Sequence, residues 1–549
     1  MRSLARPSLT LACIAALGCG VASGSRTVVV ASGGDGDVLV PRLWIETQAR
    51  LYTELMFDKL ADIGPGQSTV DAASYQPRLA KSWTWSRDSM AVTFHLDPRA
   101  RWHDGVPVRS GDVRFAWDVY NDPKFAAGNA DFGKIVDSVS TPDSLTATFW
   151  YRTRTPEMFH AVAYNLVPLP EHLLRDVARD SLRQSAFAEH PVGNGPFKFV
   201  AWEKKVRFEL AANDDYYLGR PRIDRLVFAI YADAAAGARA VFAGDADFVE
   251  IVSMDDVAEA ARHQDVRLIP ARRYEYGFLE FNLRGADGRA PNPLFADRAM
   301  RRALTMAADR PVAVRAAYDT LAFGGLGPFT RLQWVADTTL AQLPHDSAAA
   351  ARTLDSLGWR RGADGVRARN GRRLSFSIAV SASSRPRVRM AELLQQQMAQ
   401  AGAEVKIDAV DPQAFRSRIT AHQFDAALFS WGTTPSPSGL RQSWTSAGFH
   451  AGSPFNAGGY ANPVFDAAVD SGLNAPDTRT AKAYLRRAFQ VAIDDPPAIW
   501  LYEPRLPAAA SARLVIASLP PDAWWQSIRT WDVTGPPRRR PAGAPATTP

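Results

Sequence analysis

Residues 79–120 read LAKSWTWSRDSMAVTFHLDPRARWHDGVPVRSGDVRFAWDVY. Trp83 and Trp85 alternate with polar residues, the period-two pattern of a half-buried strand. Ser86–Ser89 is polar turn material, and Val92, Phe94 and Leu96 then fall on one face of a second strand, which predicts a β-hairpin. Asp104–Gly105 marks another turn, since glycine takes positive φ at little steric cost. Beyond Pro107 the period becomes helical, with Val113, Ala116, Trp117 and Tyr120 at i, i+3, i+4 and i+7. Ser110 is the expected N-cap, and Asp112 lies where the helix dipole favours negative charge.

With 549 residues, 46% hydrophobic and 22% charged, the chain can bury a large core, and its length suits two to four structural lobes. The formal charge of +7 does not mark a nucleic-acid surface. Arg2, Arg6, Arg538, Arg539 and Arg540 lie near the termini, and setting them aside leaves +2. No basic patch interleaved with aromatics stands out, so nucleic acid is not an expected partner. Arg2 and Arg6 precede the apolar run 9–17, a secretory pattern too short for a permanent membrane span. Ala16–Leu17–Gly18–Cys19 resembles a bacterial lipoprotein box with Ala16 where Leu is usual. Residues 1–19 are therefore the expected signal segment, and Cys19 the candidate for lipidation. Cys13 and Cys19 are the chain's two cysteines, which leaves the folded part without a disulfide, a thiolate metal site or a cysteine nucleophile. The signatures H-E-x-x-H, G-x-S-x-G and S-x-x-K are absent, and no catalytic residue is expected.

Thr27–Ala31 is an apolar strand followed by the polar loop 32–37. Gly193 and Gly195 suggest tight turns that a Cβ would obstruct. Asp245 and Asp247 follow a helical stretch and read as its exit turn rather than as a catalytic pair. His103, beside Asp104, reads as structural. Residues 374–410 run strand, helix, strand, which suggests a parallel α/β unit.

These blocks resemble the extracellular solute-binding proteins of family 5, the dipeptide-, oligopeptide- and nickel-binding receptors of ABC importers. Trp83, Asp88–Ser89 (in place of the family's Asp-Gly), Phe94, Leu96, Trp102–Pro107 and Asp112–Phe115 carry the signature. FDKL at 57–60, PVGNGPF at 191–197, NDDYYLGRP at 213–221, Phe281–Asn282 and LFADRAMRRALTMAADR at 294–310 extend it. GGYANPVFD at 458–466 and DDPPAIWLY at 494–502 carry it toward the C-terminus. The resemblance implies an α/β fold of the periplasmic-binding-protein kind (type II, cluster C): two lobes with hinge strands and an extra domain, closing like a Venus flytrap. It implies domain I at 27–55, 188–277 and 505–533, domain II at 56–187 and domain III at 278–504. Residues 534–549, rich in Pro and Arg, read as a disordered tail. The implied role is a monomeric receptor, exported to the periplasm or the outer face of the cytoplasmic membrane and anchored there by lipid. It would capture peptides or peptide-like solutes and deliver them to the membrane subunits of an ABC permease, with no cofactor. A nickel chelate, haem, an opine-like or a glycosidic conjugate is the alternative ligand. A secreted hydrolase and a sensor or adhesin on the same fold are the readings from other classes.

The resemblance places ligand contacts on loops at strand ends, where such clefts lie. From the first loop come Ser32, Gly33 and Asp35, and from the next stretch Trp44 and Glu46. Phe281 and Asn282 lie on the cross-over strand. Peptide-binding members carry an Asp after the residue matching Trp431, and here Thr433 and Thr434 stand in that stretch. A hydroxyl can hydrogen-bond a ligand but cannot neutralise a buried ammonium. Either Asp35 or Glu46 substitutes, or the ligand lacks a free amino terminus. Arg385 and Arg441 suit a ligand carboxylate, and Trp44, Trp431 and Trp444 offer flat apolar walls. His422 and His450 flank this stretch without forming a metal-ligand pattern, and no metal is expected.

Overall fold

The computed structural model describes residues 26–125, 132–285 and 290–535. The expected signal segment, Cys19 and most of the Pro/Arg-rich tail lie outside them. Among the described residues no helix is long and apolar enough to cross a membrane.

Strand Glu275–Phe281 is buried on both faces, because Leu279 and Phe281 enter one apolar cluster while Tyr276 and Phe278 enter another. Such a strand needs neighbours on both sides, and it pairs antiparallel with Ala426–Gly432 and Ala498–Pro504. The six-stranded sheet is completed by Ala322–Gly324 at one edge and by Ser375–Ser381 and Glu404–Val410 at the other. The last two run parallel across helix Arg385–Gln400, as strand–helix–strand spacing predicts.

A seven-stranded sheet builds the other lobe, in the order 266–269, 508–511, 248–249, 27–32, 225–230, 207–212, 197–203. The chain passes between the two large sheets through residues 270–274 and returns through 505–507. The described residues between these crossings belong to the six-stranded lobe.

The hairpin predicted from Trp83 and Phe94 forms half of a four-stranded sheet, ordered 80–85, 91–96, 146–151, 136–143, with Trp83 opposite Phe94. Ser89 holds φ 56, the region that glycine fills without steric cost, which is why a Gly suits this turn position. Helix Ser110–Asn121 follows, but its N-cap is Arg109, one residue earlier than expected. Ser110 is buried and donates its hydroxyl to Asp143 O at 2.5 Å instead. Asp112 accepts from Arg109 N at 2.8 Å and from Trp102 Nε1 at 3.2 Å, tying the Trp-His-Asp-Gly turn to the helix start. His103 accepts from Gly193 N at Nδ1 and faces Gly195 O from Nε2, so it is a neutral structural imidazole; burial lowers its pKa to about 4.

Several scattered motifs meet at one carboxylate. Asp58 is 1% exposed and accepts from Tyr216 Oη at 2.9 Å and Tyr217 Oη at 2.6 Å. Arg78 Nε lies 3.2 Å away, and Asp58 N donates to Asn194 Oδ1 at 2.9 Å. Gly193 and Gly195 serve close approach rather than a turn: a Cβ at Gly193 would stand 1.9 Å from Met56 O. Asp247 is bound by Arg513 at 2.7 Å and by Val29 N at 2.9 Å, which makes it a sheet tie.

Candidate functional site

A cavity of about 330 Å³ opens where helix Thr47–Met56, the segment 155–167 and Asp522 face the loop 434–441 of the six-stranded lobe. Asp37 shapes the near wall. Its carboxylate accepts from Ile45 N at 3.1 Å, Glu46 N at 3.2 Å and Arg183 Nη1 at 3.1 Å, which pins the loop carrying Arg42 and Trp44. On the far wall Gln333 Nε2 donates to Thr434 O at 2.9 Å and Ser436 O at 3.1 Å, fixing the loop where an Asp was missed.

The floor is a charged cluster. Glu54 accepts from Arg50 Nε at 2.9 Å, Trp525 Nε1 at 3.0 Å and Gln526 Nε2 at 3.3 Å. Lys59 Nζ lies 3.0 Å from the same carboxylate. Burial works to raise the Glu54 pKa, but Arg50 and Lys59 together outweigh it and bring the pKa down to about 2. Asp522 takes Arg50 Nη2 at 3.1 Å and the Tyr164 hydroxyl. His160, stacked on Tyr164 and hydrogen-bonded to Tyr75 Oη at 2.8 Å, is pushed by burial to about 3 and stays neutral.

Glu157 spans the cavity. Its Oε1 accepts from the Thr69 hydroxyl on its own side and from Trp334 Nε1, at 2.9 Å, in the six-stranded lobe. Its Oε2 accepts from Ser436 Oγ at 2.5 Å, also in that lobe. Burial raises its pKa against these donors.

Of the candidates from the sequence, Trp44, Thr434 and Arg441 line this cavity. Arg441 Nε is held 2.8 Å from Asp470. The others are placed elsewhere. Ser32 Oγ donates to Gly34 O at 2.6 Å, and Gly33 packs near Ala234. Asp35 accepts from Trp202 Nε1 at 2.9 Å and Lys205 N at 2.7 Å, which ties two loops of the seven-stranded lobe. Glu46 reaches Arg416 at 3.8 Å, and Arg385 reaches Asp255 at 3.5 Å. Thr433 N donates to Tyr274 O at 2.6 Å, while Trp431 packs on Phe429 and Phe455. Phe281 packs on Phe295, Asn282 Nδ2 donates to His422 O and Phe424 O, and Trp444 donates to Tyr276 Oη beside Trp500. These three are interior residues, withdrawn from the cavity surface by their own packing. The charged floor and Glu157 were missed. Lys59 and Asp58 inside the apolar run LMFDKLA were the available signal, because charges there demand partners.

Comparison with known proteins agrees with this architecture. Oligopeptide-binding protein AppA of Bacillus subtilis is 24% identical over 432 residues, 78% of each chain. Its structure with a nonapeptide superposes at TM-score 0.78, with 22% identity over 93% of this chain and 99% of AppA. NikZ of Campylobacter jejuni, solved with Ni(L-His), superposes at TM-score 0.81, with 22% identity over 92% of this chain and 99% of NikZ. The fold is that of the type II periplasmic binding proteins, as the motifs implied. The model of the bacterial extracellular solute-binding proteins, family 5, matches residues 74–452, well over half of the sequence, and this chain belongs to that family.

Proposed function

We propose that this protein is the receptor of an ABC importer, which encloses a peptide-like solute outside the cytoplasmic membrane and presents it to the permease. The observation that carries this reading is the cavity walled by both lobes and spanned by Glu157, with the chain crossing between the large sheets at 270–274 and 505–507. Paired crossings of this kind suit hinge closure around a ligand. The cluster on the floor suits binding: the Glu54 and Asp522 carboxylates are held in place by protein donors. Export by the N-terminal segment, lipid anchoring through Cys19 and a monomeric state complete the proposal.

The volume lies at the small end of the range for small-molecule sites, about 300–1,000 Å³. That favours a short solute, and it supports a compact non-peptide ligand, a metal chelate or a conjugate, as the second reading.

The test is a thermal-shift screen of the mature protein lacking Cys19. Peptides of two to six residues, their N-acetylated forms, a nickel–histidine chelate and haem are compared. A ligand that binds only the folded state raises the melting temperature. Stabilisation by peptides, free or acetylated, supports the receptor for peptide-like solutes. Stabilisation by the chelate or haem alone moves the assignment to the second reading.

A further inference from the structure

Asp522 lines the cavity with its side chain 5% exposed. Its Oδ2 accepts from Arg50 Nη2 at 3.1 Å and from the Tyr164 hydroxyl, which holds the carboxylate in place. Its Oδ1 accepts from no donor among the described residues and keeps accessible surface. One oxygen of a nearly buried, fixed carboxylate is thus left open. Water serves it while the cavity is open. Once a solute fills the cavity, the solute must supply the donor, because a buried acceptor without one is costly.

The charges around it decide what kind of donor suits it. Arg50 and Lys59 stand against Glu54 and Asp522, two cations to two carboxylates. Glu157 adds a third carboxylate, and its donors from Thr69, Trp334 and Ser436 are all neutral. Burial raises the Glu157 pKa and no cation offsets this. The other cations of the lining, Arg42, Lys134 and Arg441, have partners of their own. The floor and Glu157 together are one positive charge short. Neither Asp35 nor Glu46 can replace the Asp missing near Thr433 and Thr434, because both are engaged away from the cavity, with Trp202 and Lys205 and with Arg416.

We propose that Asp522 receives the ammonium of the solute at its free Oδ1, with Glu157 supplying a second negative charge, so that the cavity takes peptide-like solutes with a free amine. The amine is then read by a residue that follows the return crossing at 505–507, on the wall facing the loop 434–441. This rests on the receptor reading above and narrows it to amine-bearing solutes.

Titration calorimetry of the mature protein compares di- to tetraalanine with their N-acetylated forms and with desamino analogues, in which hydrogen replaces the amine. The unblocked peptides bind about tenfold or more tightly than either. Asp522→Asn cuts that preference to about twofold or less, whereas Asp35→Asn and Glu46→Gln keep it whole. If Asp522→Asn does not fold, the parent and the other two variants decide, and a preference kept in all three supports the inference. Equal binding of unblocked and desamino peptides overturns it and leaves the receptor reading intact. So does a preference that survives Asp522→Asn undiminished, or one lost in Asp35→Asn or Glu46→Gln. If no compound in the panel binds, the peptide-like reading falls and this inference falls with it.

Discussion

Glu280 lies midway along strand Glu275–Phe281, 2% exposed, with Gly458 N donating to its Oε1 at 2.8 Å. Burial raises its pKa from the ordinary 4.5 to about 8. The folded state therefore holds a proton that the unfolded chain releases above pH 4.5, and stability falls as pH rises from there to about 8. The slope is at most about 1.4 kcal/mol per pH unit. Glu280→Gln, which keeps the acceptor for Gly458, should match the parent at pH 5 and exceed its melting temperature at pH 8. Denaturation curves at the two pH values check this; a constant difference would count against it. Nothing in YGFLEFNLR announces such a residue, because the strand's alternation says which face Glu280 takes and not whether that face meets water. The same holds for Trp444 and Phe281, whose burial depends on helices and strands far along the chain.

Between residues 191 and 197 the backbone passes against the end of helix Thr47–Met56, and Gly193 leaves no room for a side chain. Gly193→Ala should cost about 2–3 kcal/mol, since the obstructing atom is backbone. Gly33→Ala, whose nearest neighbour would be at an ordinary 3.6 Å, should leave stability within about 0.5 kcal/mol. Urea titrations of the two variants separate these outcomes, and similar losses in both would contradict the close-approach reading. Elements themselves were legible: the hairpin at 80–96, helix 110–121 and the parallel unit at 375–410 declare themselves by local periodicity. The cap of helix 110–121 was not, because Ser110 gives its hydroxyl to Asp143, 33 residues away, and a local rule cannot see that competition.

At the scale of the molecule, Glu157 links the two lobes across the cavity. Glu157→Ala leaves Trp334, Ser436 and Thr69 without their acceptor, at about 1 kcal/mol for each hydrogen bond. The variant should populate a more open ensemble, with a larger radius of gyration by small-angle scattering than the parent. An unchanged radius would remove Glu157 from closure. The cavity was the least legible part of the sequence, since Glu157 and Ser436 are 279 positions apart and Tyr164 and Asp522 are 358 apart. No motif spans such distances; only the folded lobes bring these residues together. The connectivity also has a consequence for how the protein is made. Strand Val266–Ile269 pairs with Ala508–Ser511, which also pairs with Phe248–Val249. The slot between those two early strands stays empty while the ribosome adds every residue from 270 to 507. The first sheet cannot close until synthesis is nearly over, because the strand that fills its slot is among the last to be made.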